Sequence, residues 1–588
     1  MAQQPIDPIT LQVIGGALDT IAKEMGHVLY RMSYSSIIRE SQDLGAGLFD
    51  ASFNTLCESD STPMHIGSIP GYLRGIQDSL QSDWEPGDVV IHNHPYYGAS
   101  HSPDIGIVAP VFYEGELFGF SANTAHHVDI GAATPGLIID VADVYAEGML
   151  FKGIKLYERG NLNRALWQFI ETNTRAPGQV MGDLEAQLAA ADLGVRRLTE
   201  LLDTYGKETV RTACNQLMDY SERVLRSRLA EIPDGEYTAE GFMDDDGRNR
   251  GENLPIKVTV KIKGDSAEVD LTGSSDQVPT AFNVPFEGST KVACFYAFRA
   301  LLLDTYTNAE YVPQNEGSFR PIAVVAPEGS IFNPEFPNAA EARFAQIQRI
   351  VDCIIKALAP VVPESITAGN SATLSFAAYS GLRDSGDIWV FIEVNEGSYG
   401  GRPTSDGPDS IDCLMANTRN NPIEDLGMHI PLFCDRYELR DDVLPAAGKF
   451  RGGLGVVKTQ RFLTDGVMTH ESDRHEDQPW GILGGLSGHG GRVFKYNIAD
   501  PESREEIPAK FSGLRTNKGD CIEIHTPCGG GYGDPLERSP EQVREDVLDD
   551  FCTIEQAYDV YGVVMDEAVN LDLAATASRR EQMRRTAA

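Results

Sequence analysis

The sequence predicts an α+β protein of several domains with mixed sheets. It has an N-terminal helix, a central helical hairpin and a β- and glycine-rich C-terminal part. Three observations carry this. Apolar residues recur every three or four positions in 7–34 and 178–228, the period of an amphipathic helix. Short alternating runs between Pro/Gly loops fill 85–120 and 234–275, the period of half-buried strands. The chain of 588 residues is also longer than one hydrophobic core organises. The expected divisions are an N-terminal α/β region carrying a histidine-rich site (1–175), a helical hairpin (176–232), a mixed α/β domain (233–365), a β- and glycine-rich domain (366–535) and a helical tail (536–588).

In chain order, Asp7 suits the N-cap and Pro8 the first turn of a helix whose apolar face is Leu11, Ile14, Leu18, Ile21, Met25, Val28 and Met32. The Ser/Gln/Asp/Gly cluster of 34–47 breaks it, and a hairpin follows with its turn near Ala51–Asn54. Tyr113-Glu114-Gly115-Glu116 marks a second hairpin turn. In the helical hairpin, Leu184, Leu188, Ala191, Val195, Leu198 and Leu202 form the apolar face, and Gly206 ends the first arm. A β region follows, turning at Lys263-Gly264-Asp265, and helices are expected at 290–305 and 340–360.

Composition narrows the function classes. A net charge of −38 excludes a basic face for nucleic acid or an anionic membrane. No run of eighteen apolar residues exists to span a bilayer. The N-terminus lacks the basic and apolar segments of a signal peptide. Nine dispersed cysteines without a C-x-x-C pair read as reduced, mostly buried thiols, so a cytoplasmic location is expected.

The chemistry concentrates in 91–131. Five of twelve histidines lie there (His92, His94, His101, His126 and His127), and His65 precedes them. His101-x-x-Asp104 with His126-His127 offers imidazoles and a carboxylate, a mixed N/O set that suits Zn²⁺, Mn²⁺ or Fe²⁺; a carboxylate from Asp43 would complete four ligands. The alternative is a set of hydrogen-bonded loop histidines or a metal-free acid–base pair. His127 and Asp129 are expected to orient the ligands, while His65, His92 and His94 read as structural or substrate-facing. The run Cys528-Gly529-Gly530-Gly531-Tyr532-Gly533 lacks a following Walker lysine and reads as a tight buried turn more than an anion cradle. Arg451-Gly452-Gly453-Leu454-Gly455 and Gly484-Gly485 read likewise. Asp244-Asp245-Asp246-Gly247 lacks the spaced ligands of a calcium loop and reads as an exposed acidic turn.

Several of these segments, taken in order, resemble one family. They are DPITLQVI at the start, PMHIGSIP at 63–70, HPYYGASHSPDIGIVAPVF, NTAHHVDIG, GDLEAQLAA, NEGSFRPIAVVAPEGSIFNP, FRGGLGVV and PCGGGYGDPLER. The resemblance is to B (β) subunits of the hydantoinase/5-oxoprolinase family, which also includes subunits of caprolactamase and of acetone and acetophenone carboxylases. It implies a partner, an A-type subunit that uses ATP and Mg to phosphorylate a substrate oxygen, with an α2β2 heterotetramer as the expected assembly. It implies a metal centre in the β chain with ligands at Asp43, His101, Asp104 and His126, zinc in the lactamase branch and manganese or a similar ion in the carboxylases. Where many relatives carry Asn-Asp-Pro, this chain has Asn93-His94-Pro95. The expected activity is hydrolysis of a cyclic amide (a hydantoin, lactam or oxoproline-like ring), with His127 or His94 moving the proton. The alternatives are a ketone carboxylase subunit and a structural zinc-binding subunit.

Overall fold

The computed structural model of the chain describes residues 6–65, 67–303 and 311–587. The first helix, α1 (Pro8–Met32), begins where Asp7 Oδ1 accepts hydrogen bonds from the Ile9 and Thr10 amides, both at 3.1 Å. It buries Ile14, Leu18, Ile21, Met25 and Leu29. A short turn of helix, α2 (Ser36–Arg39), leads into the first sheet.

That sheet contains β1 (Leu44–Asp50), β2 (Thr55–Glu58), β3 (Val89–His92), β4 (Asp104–Tyr113), β5 (Glu116–His126), β6 (Ile154–Glu158) and β7 (Asn161–Leu162). Their order is β2-β1-β5-β4-β3-β6-β7, with every pairing antiparallel. Helix α3 (Ile69–Ser79) covers one face: Leu73 and Ile76 cluster with Val90, Val108 and Phe120. After α4 (Arg164–Asn173), the helical hairpin is α5 (Pro177–Tyr205) and α6 (Lys207–Leu229), parted at Gly206. Helix α5 lies on α1, β4 and β5, so the central strands are covered on both sides.

The register of this sheet places the site. Asp104 opens β4 directly opposite His126, which closes β5, and Leu44 at the start of β1 pairs with Ala125. Asp43, Asp104 and His126 therefore share one end of three adjacent strands.

The second sheet, β8 (Gly235–Met243), β9 (Leu254–Lys263), β10 (Ser266–Asp270) and β11 (Ile322–Val325), has the order β11-β10-β9-β8. Between its last two strands in sequence comes α7 (Lys291–Leu302); residues 304 and 305 of the helix expected there lie outside the described residues. The helix α8 (Phe344–Leu358) packs on β8, β9 and α7. It begins three residues past Glu341, and its first residue reaches the site.

The C-terminal part is a two-sheet sandwich. Its strands are β12 (Phe376–Leu382), β13 (Ile388–Val394), β14 (Leu432–Leu439), β15 (Val456–Phe462), β16 (Gly466–Glu471), β17 (Arg492–Asn497), β18 (Asp500–Ile507), β19 (Lys510–Thr516) and β20 (Asp520–His525). The sheets run β13-β12-β16-β19 and β14-β15-β20-β17-β18. Tyr379, Trp389, Phe391, Phe462, Val493 and Ile522 fill the space between them. Before β14 stands the helix α9 (Ile423–His429).

The glycine run folds as a tight buried turn. A Cβ on Gly529, Gly530 or Gly531 would stand 2.1 Å from the carbonyl oxygens of Tyr399, Trp480 and Ala447 respectively. Neighbouring backbone therefore fills the space an anion would need. Eight of the nine cysteines are buried, Cys434 is half-buried, and all are free thiols. Among the described residues, no helix is long and apolar enough to cross a membrane.

One expectation is corrected here. The acidic turn is not exposed: Asp244 and Asp246 are buried. Asp244 accepts hydrogen bonds from the His475, Glu476 and Asp477 amides, and Asp246 from those of Arg248 and Asn249. The turn clamps the 473–477 loop, a use of short acidic side chains that local sequence does not distinguish from a solvated face. Burial, then the charge of Asp473, pushes the Asp244 carboxyl up to about 6. A raised acid releases its proton from the unfolded chain first, so stability falls as pH rises from about 3.8 to about 6 and is level above. Asp244→Asn should remove roughly 2–3 kcal/mol of that pH-dependent loss, read as a flatter stability–pH curve in that window.

Candidate metal centre

His101, Asp104 and His126 are fully buried, and one ligand atom of each lies within 4.8 Å of the others. Each atom is aimed by a partner. The His101 ring donates from Nδ1 to the Glu341 carbonyl oxygen at 2.8 Å. A carbonyl only accepts, so the proton is on Nδ1 and the Nε2 lone pair is free.

That Nε2 stands 3.1 Å from Asp104 Oδ1, yet neither atom has a hydrogen-bond partner. Two acceptors facing each other at this distance repel unless a proton or a cation lies between them. The other carboxylate oxygen of Asp104 is occupied: Oδ2 accepts from Ser100 Oγ at 2.5 Å and from Arg343 Nη2 at 2.8 Å. Asp104 thus offers one oxygen only. His126 donates its amide to the Asp43 carbonyl at 3.1 Å, while both its ring nitrogens are buried without partners.

Electrostatics set the protonation states a cation requires. Burial, then the Arg343 charge, lowers the His101 imidazole. Burial, then His101, takes His126 down to about 4. Both rings are neutral near pH 7. Burial alone would raise Asp104, but the positive charge of its neighbours, His65 and Arg343 among them, outweighs it and holds the carboxylate well below its ordinary range. Water is kept out by aromatic rings. Phe344 packs edge-on to His101 with centroids 5.2 Å apart, Phe376 lies 5.6 Å from His126, and the two phenyl rings stack at 5.2 Å.

Of the four expected ligands, three converge. Asp43 stands beside them, with its Oδ1 2.9 Å from His65 Nε2. The other nitrogen of His65 lies 3.9 Å from Asp104 Oδ2, so this ring sits between two carboxylates. Burial opposes its charge, but Asp104 and Asp43 raise its pKa.

The remaining histidines are placed elsewhere. His127 bonds Gln187 Oε1 at 2.9 Å through Nε2, and its Nδ1 is unpartnered. His94 packs against Tyr97 (4.9 Å) and Phe336 (6.0 Å), also with Nδ1 unpartnered; burial, then Lys152, lowers it to about 4. His92 is fully used, bonding the Tyr97 carbonyl and the Gly153 amide. Asp129 pairs with Arg175 at 2.9 Å.

Sequence reading missed Arg343, Ser100, Glu341, Phe344 and Phe376. Arg343 left a signal: an arginine immediately before an apolar helix opposes the helix dipole unless a carboxylate holds it. The donor set, two imidazoles and one carboxylate oxygen with orphaned atoms, fits a divalent cation.

Comparison with known proteins agrees with this arrangement in fold. A family model described as Hydantoinase B/oxoprolinase matches residues 7–535. The chain is 47% identical to the putative B-type subunit of the D-/L-hydantoinase of Pseudomonas sp. (strain NS671), over 98% of each chain. It is 31% identical to the β subunit of the caprolactamase of Pseudomonas jessenii, over 98% of this chain and 99% of that one. The crystal structure of ATP-dependent caprolactamase from Pseudomonas jessenii matches with a TM-score of 0.89 at 28% identity, covering 98% of this chain and 100% of the other. A nucleotide-free acetone carboxylase structure shares the fold, with a TM-score of 0.88 at 19% identity over 99% of this chain and 83% of that one.

Proposed function

The chain belongs to the hydantoinase B/oxoprolinase family, and from that premise we propose that it is the B (β) subunit of an ATP-dependent amidohydrolase that opens a cyclic amide. The observation that carries this is the trio His101, Asp104 and His126, buried with orphaned ligand atoms and neutral imidazoles. A resonance-stabilised amide is a poor electrophile. An A-type partner that uses ATP and Mg would convert its oxygen into a leaving group, and this chain would receive the activated ring.

His101 and His126 would supply nitrogen, and Asp104 a single oxygen, to a divalent cation, with zinc favoured over manganese or iron and Asp43 as the fourth ligand. Held there, the cation supplies Lewis acidity, which lowers the pKa of water and polarises a carbonyl. The chain's own residues do the rest. The Glu341 carbonyl fixes the His101 tautomer, Arg343 and Ser100 fix Asp104, and Phe344 with Phe376 excludes bulk water. His127 or His94, each with an unpartnered Nδ1, would move the proton.

The test is an assay of the complex with its ATP-using partner on hydantoins, lactams and ketones, with labelled bicarbonate present. Ring-opened, unlabelled product formed with ATP turnover is expected. Label appearing in product from a ketone would replace hydrolysis by carboxylation, and metal-dependent folding without turnover would make the site structural.

A further inference from the structure

The trio His101, Asp104 and His126 is buried, yet a cavity of about 430 Å³ stands one residue away from the groups that hold it. Pro63 and Leu414 line that cavity. The next residue of each segment, Met64 and Met415, lies on the inner side instead, at 3% and 0% exposure. The Met64 amide donates to the Met415 carbonyl oxygen at 3.0 Å, so the two segments meet there. Met64 Sδ lies 3.5 Å from Arg343 Nη1, and Arg343 holds Asp104.

Met415 ties into the trio from a second direction. Its amide donates to Gln348 Oε1 at 3.1 Å, and Gln348 lies one turn after Phe344 on the same face of α8. Phe344 packs on His101. That bond fixes the Gln348 amide, whose Nε2 is buried without a hydrogen-bond partner. A buried donor left open is costly unless a guest or water accepts from it. On the outer side, Tyr296 and Tyr399 give the cavity aromatic surface. Glu396, 6% exposed, accepts from Tyr437 Oη through Oε2 at 2.6 Å, which leaves Oε1 for a donor in the cavity.

We propose that this cavity is the antechamber of the trio, and that the side chains of Met64 and Met415 are the plug between them. The guest is a small flat ring with an N–H edge. Its faces rest on the tyrosines and its donor meets Glu396; further in, its acceptor meets Gln348. Methionine suits the plug, because an unbranched side chain with three rotatable bonds swings aside without moving the backbone. The bond between the two backbones therefore holds the wall together while the side chains open it. Calling the guest the cyclic substrate rests on the function proposed above; the route itself does not.

Acylation of His126 by diethyl pyrocarbonate, mapped by peptide mass on the full chain dialysed against a chelator, tests the route. The reagent is small and uncharged and attacks neutral imidazole, and both ring nitrogens of His126 are without partners. Neither turnover nor bound metal enters the readout, so failure of the hydrolytic function would leave the result standing. Slow acylation is expected in the wild type. Measured against His429, whose side chain is 63% exposed, the His126 rate should rise about 10-fold in Met64→Ala and in Met415→Ala, as for a barrier lowered by about 1.4 kcal/mol. It should fall by a similar factor in Ile411→Trp, which fills the cavity from the outside. Ile411 is 37% exposed, so this variant keeps the test informative if an alanine variant folds poorly. His92, buried with both ring nitrogens bonded, should stay unreactive throughout. Three results would overturn the route: a His126 rate unchanged in both alanine variants, a rate unchanged in Ile411→Trp, or a rate that rises in step with His92, the mark of general loosening.

Discussion

His101→Ala or His126→Ala is expected to remove the bound divalent cation and to lower turnover of the complex by about 10³-fold or more. The trio has no spare ligand. Asp104 has one free oxygen, because its other is taken by Ser100 and Arg343. Asp43 is held on His65. Losing one imidazole leaves one nitrogen with the carboxylates of Asp104 and Asp43, three protein ligands in place of the proposed four and only half the nitrogen donors. Both rings are packed in the interior, so some stability is lost as well; metal content and ATP turnover must therefore be read on protein whose far-UV spectrum and assembly match the wild type. ATP binding by the partner should persist. A His101→Ala complex with unchanged metal and unchanged product formation would exclude the trio.

Arg343→Met should cost about 3–5 kcal/mol of folding free energy in the metal-free protein. Arg343 is 1% exposed, and its guanidinium spans the Asp104 carboxylate and the Ser100 carbonyl. Removing it takes away the hydrogen-bonded counter-charge and leaves the buried carboxylate with Ser100 and the His65 ring, 3.9 Å away, as its remaining support. The double variant Arg343→Met/Asp104→Leu removes both charges and should recover a large part of the loss, because an apolar pair avoids the orphaned ion. Denaturant unfolding of the wild type, Arg343→Met, Asp104→Leu and the double variant gives the coupling. If the single arginine variant is as stable as the wild type, Arg343 is not the counter-charge that holds Asp104.

Much of the fold was legible because its signals are local. Asp7-Pro8 caps α1, Gly206 parts α5 from α6, and the turns at 51–54, 113–116 and 263–265 lie where strands meet. The three residues that converge were legible as a group, since His101, Asp104 and His126 are close in sequence. Arg343, Glu341, Phe344 and Phe376 come from segments more than 200 residues away, and only tertiary packing brings them to the trio. Asp244 shows the opposite limit. Its neighbourhood is as polar as any exposed turn, and what buries it is a loop 229 or more residues further on.

The direct measurement is metal-edge X-ray absorption, with elemental analysis, on the purified complex and its His126→Ala variant. A single divalent cation per chain is expected, bound by two imidazole nitrogens and carboxylate oxygen in the wild type and absent from the variant. An active complex free of stoichiometric metal, or an ion whose ligand shell is unchanged by His126→Ala, would contradict the assignment of His101, Asp104 and His126.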